Sequence, residues 1–332
     1  MEIEPRSAPD PAPVESVIPA QPLLPQYPGF WRRIFAVVID TTLLGVVGEV
    51  LGLFFAEKFI PMGQSGRWIG VVIAGAYYIP CHLLSGQTLG KWLLGIRVQR
   101  LDGAPLTAAN SVIRYCAFAV PWFANGLYFS GDGMPRGVLI VLGVILASVL
   151  FVGIFGDIYL LLLNRPARRL LHDFIAGTVV VRTAADRVAV PLSDRRLALG
   201  HRIAIALIFV AIIGGAYWLS FDFPIKDGQL ADLRDAQTAL ERLPGVTQSG
   251  LTDGWETFNG NKRHVVYIRL WVSHFNAPPM PPLARSAVMI VVDKYPESKS
   301  ANAISVTLVS GFDIGIASRW HQFGDSHPPA DW

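Results

Sequence analysis

Arg33 and Asp40 stand seven residues apart in an otherwise apolar run, so a helix would carry both on one face, about 10 Å apart along its axis. Arg33 lies at the start of the run, where a long side chain can snorkel to the interface. Asp40 lies well inside it, where a carboxylate costs about 2.5 to 3.5 kcal/mol on membrane-insertion scales. Such an acid is expected to face protein and to hold a partner, either Arg33 or a helix-end amide. Asp157 sits in another apolar run, seven residues before Asn164, at a depth similar to that of Asp40. Two acids at one depth could share a proton or a cation, the chemistry of an ion relay. The competing reading is structural: each aspartate caps a backbone group or pairs with an arginine to fix helix packing. Glu49 falls on the opposite face from Asp40 and nearer the far end, as an interfacial or interhelical contact. His82, His172 and His201 are scattered without metal-ligand spacing, so no metal is expected. Gly90 and Lys91 lack the spacing of a phosphate loop, and no cofactor is expected.

The elements that must position these groups are membrane helices. Hydrophobic residues make up 52% of the chain and charged residues 16%, with a mean hydropathy of +0.41, whereas soluble domains carry about 25% charged residues. Five apolar runs are candidates to cross a bilayer: 34–55, 68–84, 112–129, 137–163 and 203–221. Pro121, Asn125 and Gly126 interrupt the third. Arginines concentrate before the first run, between the second and third, and between the fourth and fifth, while the opposite loops hold only Lys58, Arg67 and Arg136. That bias places the N-terminus in the cytoplasm and, with five crossings, the C-terminal residues outside. The net charge of +3 gives no reason to expect nucleic acid. Residues 1–28, rich in Pro and Ala and without a long apolar run, are expected to form a disordered cytoplasmic tail rather than a signal peptide. Cys81 and Cys116 fall in apolar stretches and read as small buried hydrophobes.

Three stretches carry the specific information. The first runs Gly29-Phe30-Trp31-Arg32-Arg33-Ile34 and on to Asp40. The second is Ser85-Gly86-Gln87-Thr88-Leu89-Gly90-Lys91, continuing through Leu94-Gly95-Ile96-Arg97-Val98 to Leu101-Asp102-Gly103-Ala104-Pro105-Leu106. The third is Arg169-Leu170-Leu171-His172-Asp173-Phe174-Ile175-Ala176-Gly177, followed by Thr178 to Val181. Together, over residues 27–182, they resemble the RDD family of bacterial membrane proteins, named for one arginine and two aspartates. By position the arginine maps onto Arg33 and the first aspartate onto Asp40. Asp173 is the choice for the second, with Asp102 its competitor. The resemblance implies a multi-pass protein of the bacterial inner membrane, connected with transport of a ligand that the family leaves undefined.

The loop motifs read as folding devices. Gly86 and Gly90 permit tight backbone, and Gln87 and Thr88 lead into a short interfacial helix with Lys91 turned toward lipid phosphates. Residues 96–100 and 178–182 are short β-branched runs on one membrane side and are expected to pair as a two-stranded ribbon. Thr107 is a natural N-cap for the third run, and Gly177 a stop for a helix over 170–176.

The expected organisation is therefore an all-α membrane bundle of about five helices: an RDD-like domain of four spans over 29–183, a cytoplasmic linker over 184–202 and a fifth span over 203–221. An extracytoplasmic α+β domain over 222–332 follows. Within that last domain the order is helix, strand, strand, helix, strand, strand, with strands at 246–251, 264–272, 304–309 and 314–318. Trp255, Trp271, Phe275, Trp320 and Phe323 are expected mainly to fill its core, a binding surface being the alternative. No nucleophile with its base can be placed by spacing, so the chain does not read as an enzyme. Two functions fit: transport of an undefined ligand or ion past buried acids, or a scaffold or sensor whose exported domain binds an envelope protein. The lipid bilayer is the partner in both, and a homo-oligomer is compatible with either.

Overall fold

The computed structural model describes residues 26–125, 136–184, 188–191, 196–222, 227–258, 260–273 and 280–332. The expected N-terminal tail lies almost wholly outside the described residues. Helix α1 (Phe30–Phe59) is joined through a 3-10 segment (Ile60–Gly66) to α2 (Arg67–Leu84), the chain reversing at Gly63, whose φ of 52° suits glycine. A short helix α3 (Leu89–Leu93) and strand β1 (Ile96–Arg100) lead to α4 (Ala108–Ala124). Thr107 caps α4 reciprocally with Asn110, as its position before the apolar run predicts. Then come α5 (Arg136–Leu163), the short α6 (Leu171–Ile175), β2 (Thr178–Arg182) and α7 (Leu199–Asp222). Two helical stretches, Phe30–Leu84 and Val141–Leu163, are long and apolar enough to cross a membrane, and Leu199–Gly215 is a shorter apolar one. Helix α4 stops at Ala124, short of the expected run, because Asn125 leaves helical geometry at ψ 122°; residues 126–129 lie outside the described residues.

One stripe of α1 explains its packing. Arg33, Ala36, Asp40, Leu44, Gly48 and Gly52 recur at three- and four-residue steps and are all buried, while Phe35, Val38, Leu53 and Phe54 face outward. Cys116 also faces outward and Cys81 is half-buried, so neither is the core residue its apolar surroundings suggest; in a bilayer, lipid takes the place of core. Strands β1 and β2 pair antiparallel, Ile96 opposite Arg182 and Arg100 opposite Thr178. A lone ribbon of this size is marginal in water. Here Ile96, Val98 and Val180 bury one face against Ala36 and Leu106, and Val179 and Val181 bury the other against Ala167 and Val190.

The C-terminal unit comprises α8 (Asp227–Glu241), β3 (Val246–Phe258), β4 (Asn261–Val272), α9 (Met280–Lys294), β5 (Ala303–Asp313) and β6 (Ser318–His327). The sheet order is β3-β4-β5-β6, with β4 and β5 parallel across α9 and the other pairs antiparallel. Alternate residues Val266, Ile268 and Leu270 of β4 and Ile304, Val306 and Leu308 of β5 meet Leu240 of α8 and Ala287, Val288 and Val291 of α9. This largely aliphatic core, joined by Tyr295 and flanked by Trp332, leaves out Trp255, Trp271 and Trp320, contrary to expectation. Trp255 is 71% exposed, Trp320 and Phe323 are exposed, Trp271 is half-buried, and Phe275 lies outside the described residues. The reason is alternation: their positions fall on the sheet face away from the helices or on its edge strands.

The segment 314–318 is a hairpin tip rather than the start of a strand. The Asp313 carboxylate accepts the Gly315 N–H at 2.7 Å, Gly315 has φ 79°, and the Ile314 N–H donates to the Ala317 carbonyl at 3.0 Å. This tip is driven into the helices. A Cβ added at Gly48 would meet the Ala317 methyl at 2.6 Å; one at Gly52 would overlap the Phe312 ring, and one at Gly70 the Ile314 carbonyl oxygen. Glu49 accepts from Arg319 at 2.7 Å and Asp313 lies 3.3 Å from Arg67. Glu49 is thus an interface residue between helix and sheet. We predict that Gly70→Ala, which puts a methyl on a backbone oxygen, loosens the tip. Hydrogen exchange at Phe312–Ala317 should rise at least tenfold, whereas Arg319→Ala, which removes an exposed pair worth about 0–1 kcal/mol, should leave it nearly unchanged.

Candidate functional site

The polar groups of the helical part converge where α1, α3, α4 and α6 meet the ribbon. Asp40 is fully buried, and donors surround its carboxylate. Its Oδ1 accepts from the Tyr77 hydroxyl at 2.7 Å and the Gly90 N–H at 2.8 Å, its Oδ2 accepts from the Thr88 hydroxyl at 2.5 Å, and Lys91 Nζ stands at 3.7 Å. Asp40 therefore caps α3 from another helix, satisfying an amide that a five-residue helix leaves orphaned. Gly90 is required there, because a Cβ would strike the Ala36 carbonyl. The partner is thus a helix-end amide with two hydroxyls, and not Arg33.

Arg33 is buried and does not snorkel. It donates to the carbonyls of Arg168 at 2.6 Å, Ala167 at 2.8 Å and Val180 at 3.3 Å, and stands 3.7 Å from Asp173. Asp173 is fully buried. It pairs with Arg114, accepts the Leu170 N–H at 3.0 Å, and so closes the first turn of α6 on itself. Burial opposes its ionisation, but the Arg114 and Arg33 guanidiniums outweigh that and hold the carboxyl below the usual carboxylate range. Asp102, its competitor from sequence, is a half-exposed turn residue bonded to Arg100 at 2.8 Å and to the Ala104 N–H at 3.0 Å.

Asp157 accepts the Leu171 N–H at 2.6 Å and faces His172 Nδ1 at 3.0 Å, so it too caps α6. Arg114 Nη2 lies 3.2 Å from His172 Nε2. A guanidinium can only donate, so Nε2 accepts and Nδ1–H is left to donate to Asp157. Asp40 and Asp157 thus belong to separate hydrogen-bond sets, contrary to the shared-site expectation: each is drawn to the amide end of a different short helix.

Lys91 is buried, with Nζ 3.2 Å from the Thr88 hydroxyl and 5.8 Å from the Tyr78 ring centre, rather than turned to lipid phosphates. Trp92 and Leu93 take the outward face of α3 instead. Burial lowers the Lys91 ammonium to about 8, against the opposing pull of Asp40. Gly86 (φ 75°) lets the chain lie against Val98, whose N–H it accepts at 2.7 Å, and Gln87 donates to the Ile96 carbonyl at 2.9 Å.

A cavity of about 80 Å³ lies inside this cluster, lined among others by Arg33, Asp40, Tyr78, His82, Lys91, Arg114 and His172. His82 is 4% exposed and neither ring nitrogen has a hydrogen-bond partner. A buried, unsatisfied polar group costs about 1–3 kcal/mol. A smaller cavity of about 60 Å³ lies beneath the hairpin tip, lined by Gly315 and Ile316, and Tyr78 and Phe118 form a wall common to both. Among the described residues no cluster of three or more His, Cys, Asp or Glu is placed to hold a metal.

The sequence did not single out Arg114, His82, His172 or Tyr77 as site residues. Arg114 had a signal: seven residues beyond the Thr107 cap, it is two turns inside a helix. Residues 27–177 match the model of the RDD family, and residues beyond them match no family model. No curated protein matches the chain.

The donors around Asp40 set a prediction. Asp40→Ala strands four of them and should cost about 3–5 kcal/mol. Asp40→Asn with Lys91→Met should recover most of that loss, since the Thr88 hydroxyl can reverse to accept and no charge is left alone. Melting temperature in detergent checks both; a double variant as unstable as Asp40→Ala would refute the account.

Proposed function

We propose that the RDD family domain is a transport module, moving a small ion or solute through its polar interior. The observation that carries this reading is the cavity that holds an unpartnered, buried histidine among Asp40, Lys91 and Arg114. A purely structural network would be expected to satisfy a buried imidazole at one nitrogen at least. Lys91, with its ammonium lowered to about 8 beside Asp40, is suited to give up a proton near neutral pH and to couple it to a second ion. The protein would cross the membrane five times, by α1, α2, α4, α5 and α7, as a multi-pass protein of a bacterial inner membrane. The N-terminus would be cytoplasmic and the sheet domain outside, as the arginine bias supports.

A second reading, a non-transporting sensor or scaffold, is favoured by a different feature. A cleft of about 570 Å³ between the 3-10 segment and the sheet, bordered by Trp271 and Trp320, is large enough for a segment of an envelope protein. A second copy of the chain is the other partner to consider. The cleft is formed by the docked hairpin, so an occupant could bias the helices through it.

Reporter fusions after Asp222 should give extracytoplasmic activity and fusions near Ala184 cytoplasmic activity; cytoplasmic activity for the former would exclude five crossings. Purified protein in liposomes, assayed for ion-dependent proton flux, tests transport itself. Flux should fall at least tenfold in Asp40→Asn with protein level retained. Wild-type liposomes that show no flux above empty ones would leave the sensor reading.

A further inference from the structure

We infer that the inner cavity is a binding site for a small inorganic anion, a halide or a compact oxyanion. The charge inventory points this way. Arg33, Lys91 and Arg114 line the cavity, and Asp40 is the carboxylate among its lining residues. Asp157 and Asp173 lie behind the wall, Asp173 beside Arg33 and Arg114 and Asp157 beside His172. The wall itself therefore presents more basic groups than carboxylates, in surroundings where charge is costly to bury.

The carboxylates are also spent. Asp40 receives two hydroxyls and an amide, Asp157 an amide and an imidazole, and Asp173 an amide and the Arg114 guanidinium. A metal cation entering the cavity would meet three positive groups and no uncommitted carboxylate, so a cation is the poorer fit. His82 supplies the independent sign. Buried to 4% exposure, it lines the cavity and has an N–H with no acceptor in the protein. An anion held between His82 and Lys91 would accept that N–H and a charge-assisted hydrogen bond from the ammonium.

Size narrows the class. A cavity of about 80 Å³ exceeds the roughly 10–15 Å³ that one water requires and falls below the roughly 300 Å³ where organic ligand sites begin. Chloride, nitrate, bicarbonate or phosphate fit that range. A phosphate group could also arrive on a lipid headgroup, and the test separates the two sources. The inference deepens the transport reading by naming its cargo class, but binding can be measured where transport fails.

Full-length protein, purified in a neutral detergent with sodium gluconate as background salt, would be titrated with sodium chloride, nitrate, bicarbonate and phosphate while its melting temperature is followed. At least one should raise it saturably in the millimolar range, and sodium gluconate should not. His82→Phe and Lys91→Met should each weaken the apparent Kd at least tenfold, with Glu49→Gln, at the outer interface, binding as wild type. Should either variant fail to fold, crystals of the wild type soaked in bromide decide: an anomalous peak within 4 Å of His82 supports the site, and its absence overturns it. Stabilisation by anionic lipid alone would assign the site to a headgroup and overturn the inorganic anion. Equal response to all salts, or wild-type binding in His82→Phe, would do the same. Anion binding without liposome flux would keep this site and remove transport, while flux without anion binding would do the reverse.

Discussion

Buried carboxylates in this protein are held in place by the amide ends of helices too short to stand alone. Helices α3 and α6 have five residues each, fewer than the turns needed to offset nucleation. Each is fixed by an aspartate that arrives from a long helix, Asp40 for α3 and Asp157 for α6, and α6 adds Asp173 of its own. The two short helices are therefore products of tertiary contact rather than of local propensity. Once they are in place, β1 and β2 follow them directly, and Gly95 and Gly177, both at positive φ, turn the chain from helix into strand. The ribbon in turn offers the Val180 carbonyl to Arg33, which returns the chain to the start of α1. Remove the carboxylates, and this closed circuit of helix, turn, ribbon and arginine has nothing to hold its corners.

Much of that circuit is legible in the amino-acid sequence. The pairing of 96–100 with 178–182, the Thr107 cap, the short helices and the order of elements in the C-terminal domain all follow from apolar periodicity and turn residues. The shared face of Arg33 and Asp40 follows from helical spacing. What the spacing could not carry is which partner each charge finds. Lys91 looks like an interfacial lysine because its neighbours are those of an interfacial helix, yet α3 presents it inward and Trp92 outward. Spacing within the apolar runs assigns Asp40 and Asp157 one depth, but depth says nothing of azimuth, and the two cap different short helices. His82 gives no sign in the sequence, since a histidine in an apolar run reads the same whether or not it has a partner.

The two parts of the chain are not independent. The segment 314–318 scores as a strand because it is short and apolar, but Gly315 and the Asp313 side chain make it a turn whose apolar residues have helices to meet. Glycines at 48, 52 and 70 remove the side chains that would otherwise keep a strand tip away from a helix surface. Within a helix glycine costs roughly 1 kcal/mol against alanine. Three of them on facing helices make sense only because something else occupies their space.

That docking has a consequence for the timing of assembly. The tip joins residues about 270 positions apart, Arg319 with Glu49 being the clearest case. Helices α1 and α2 are made well before the hairpin that fills their groove. For the whole interval the groove must be covered by lipid, by water or by another protein. Contacts of such long sequence separation close slowly because the loop entropy must be spent before they reward it. The nascent protein thus passes through a stage in which its bundle is formed and its groove is open, and during that stage insertion machinery or a chaperone has access that the finished molecule denies.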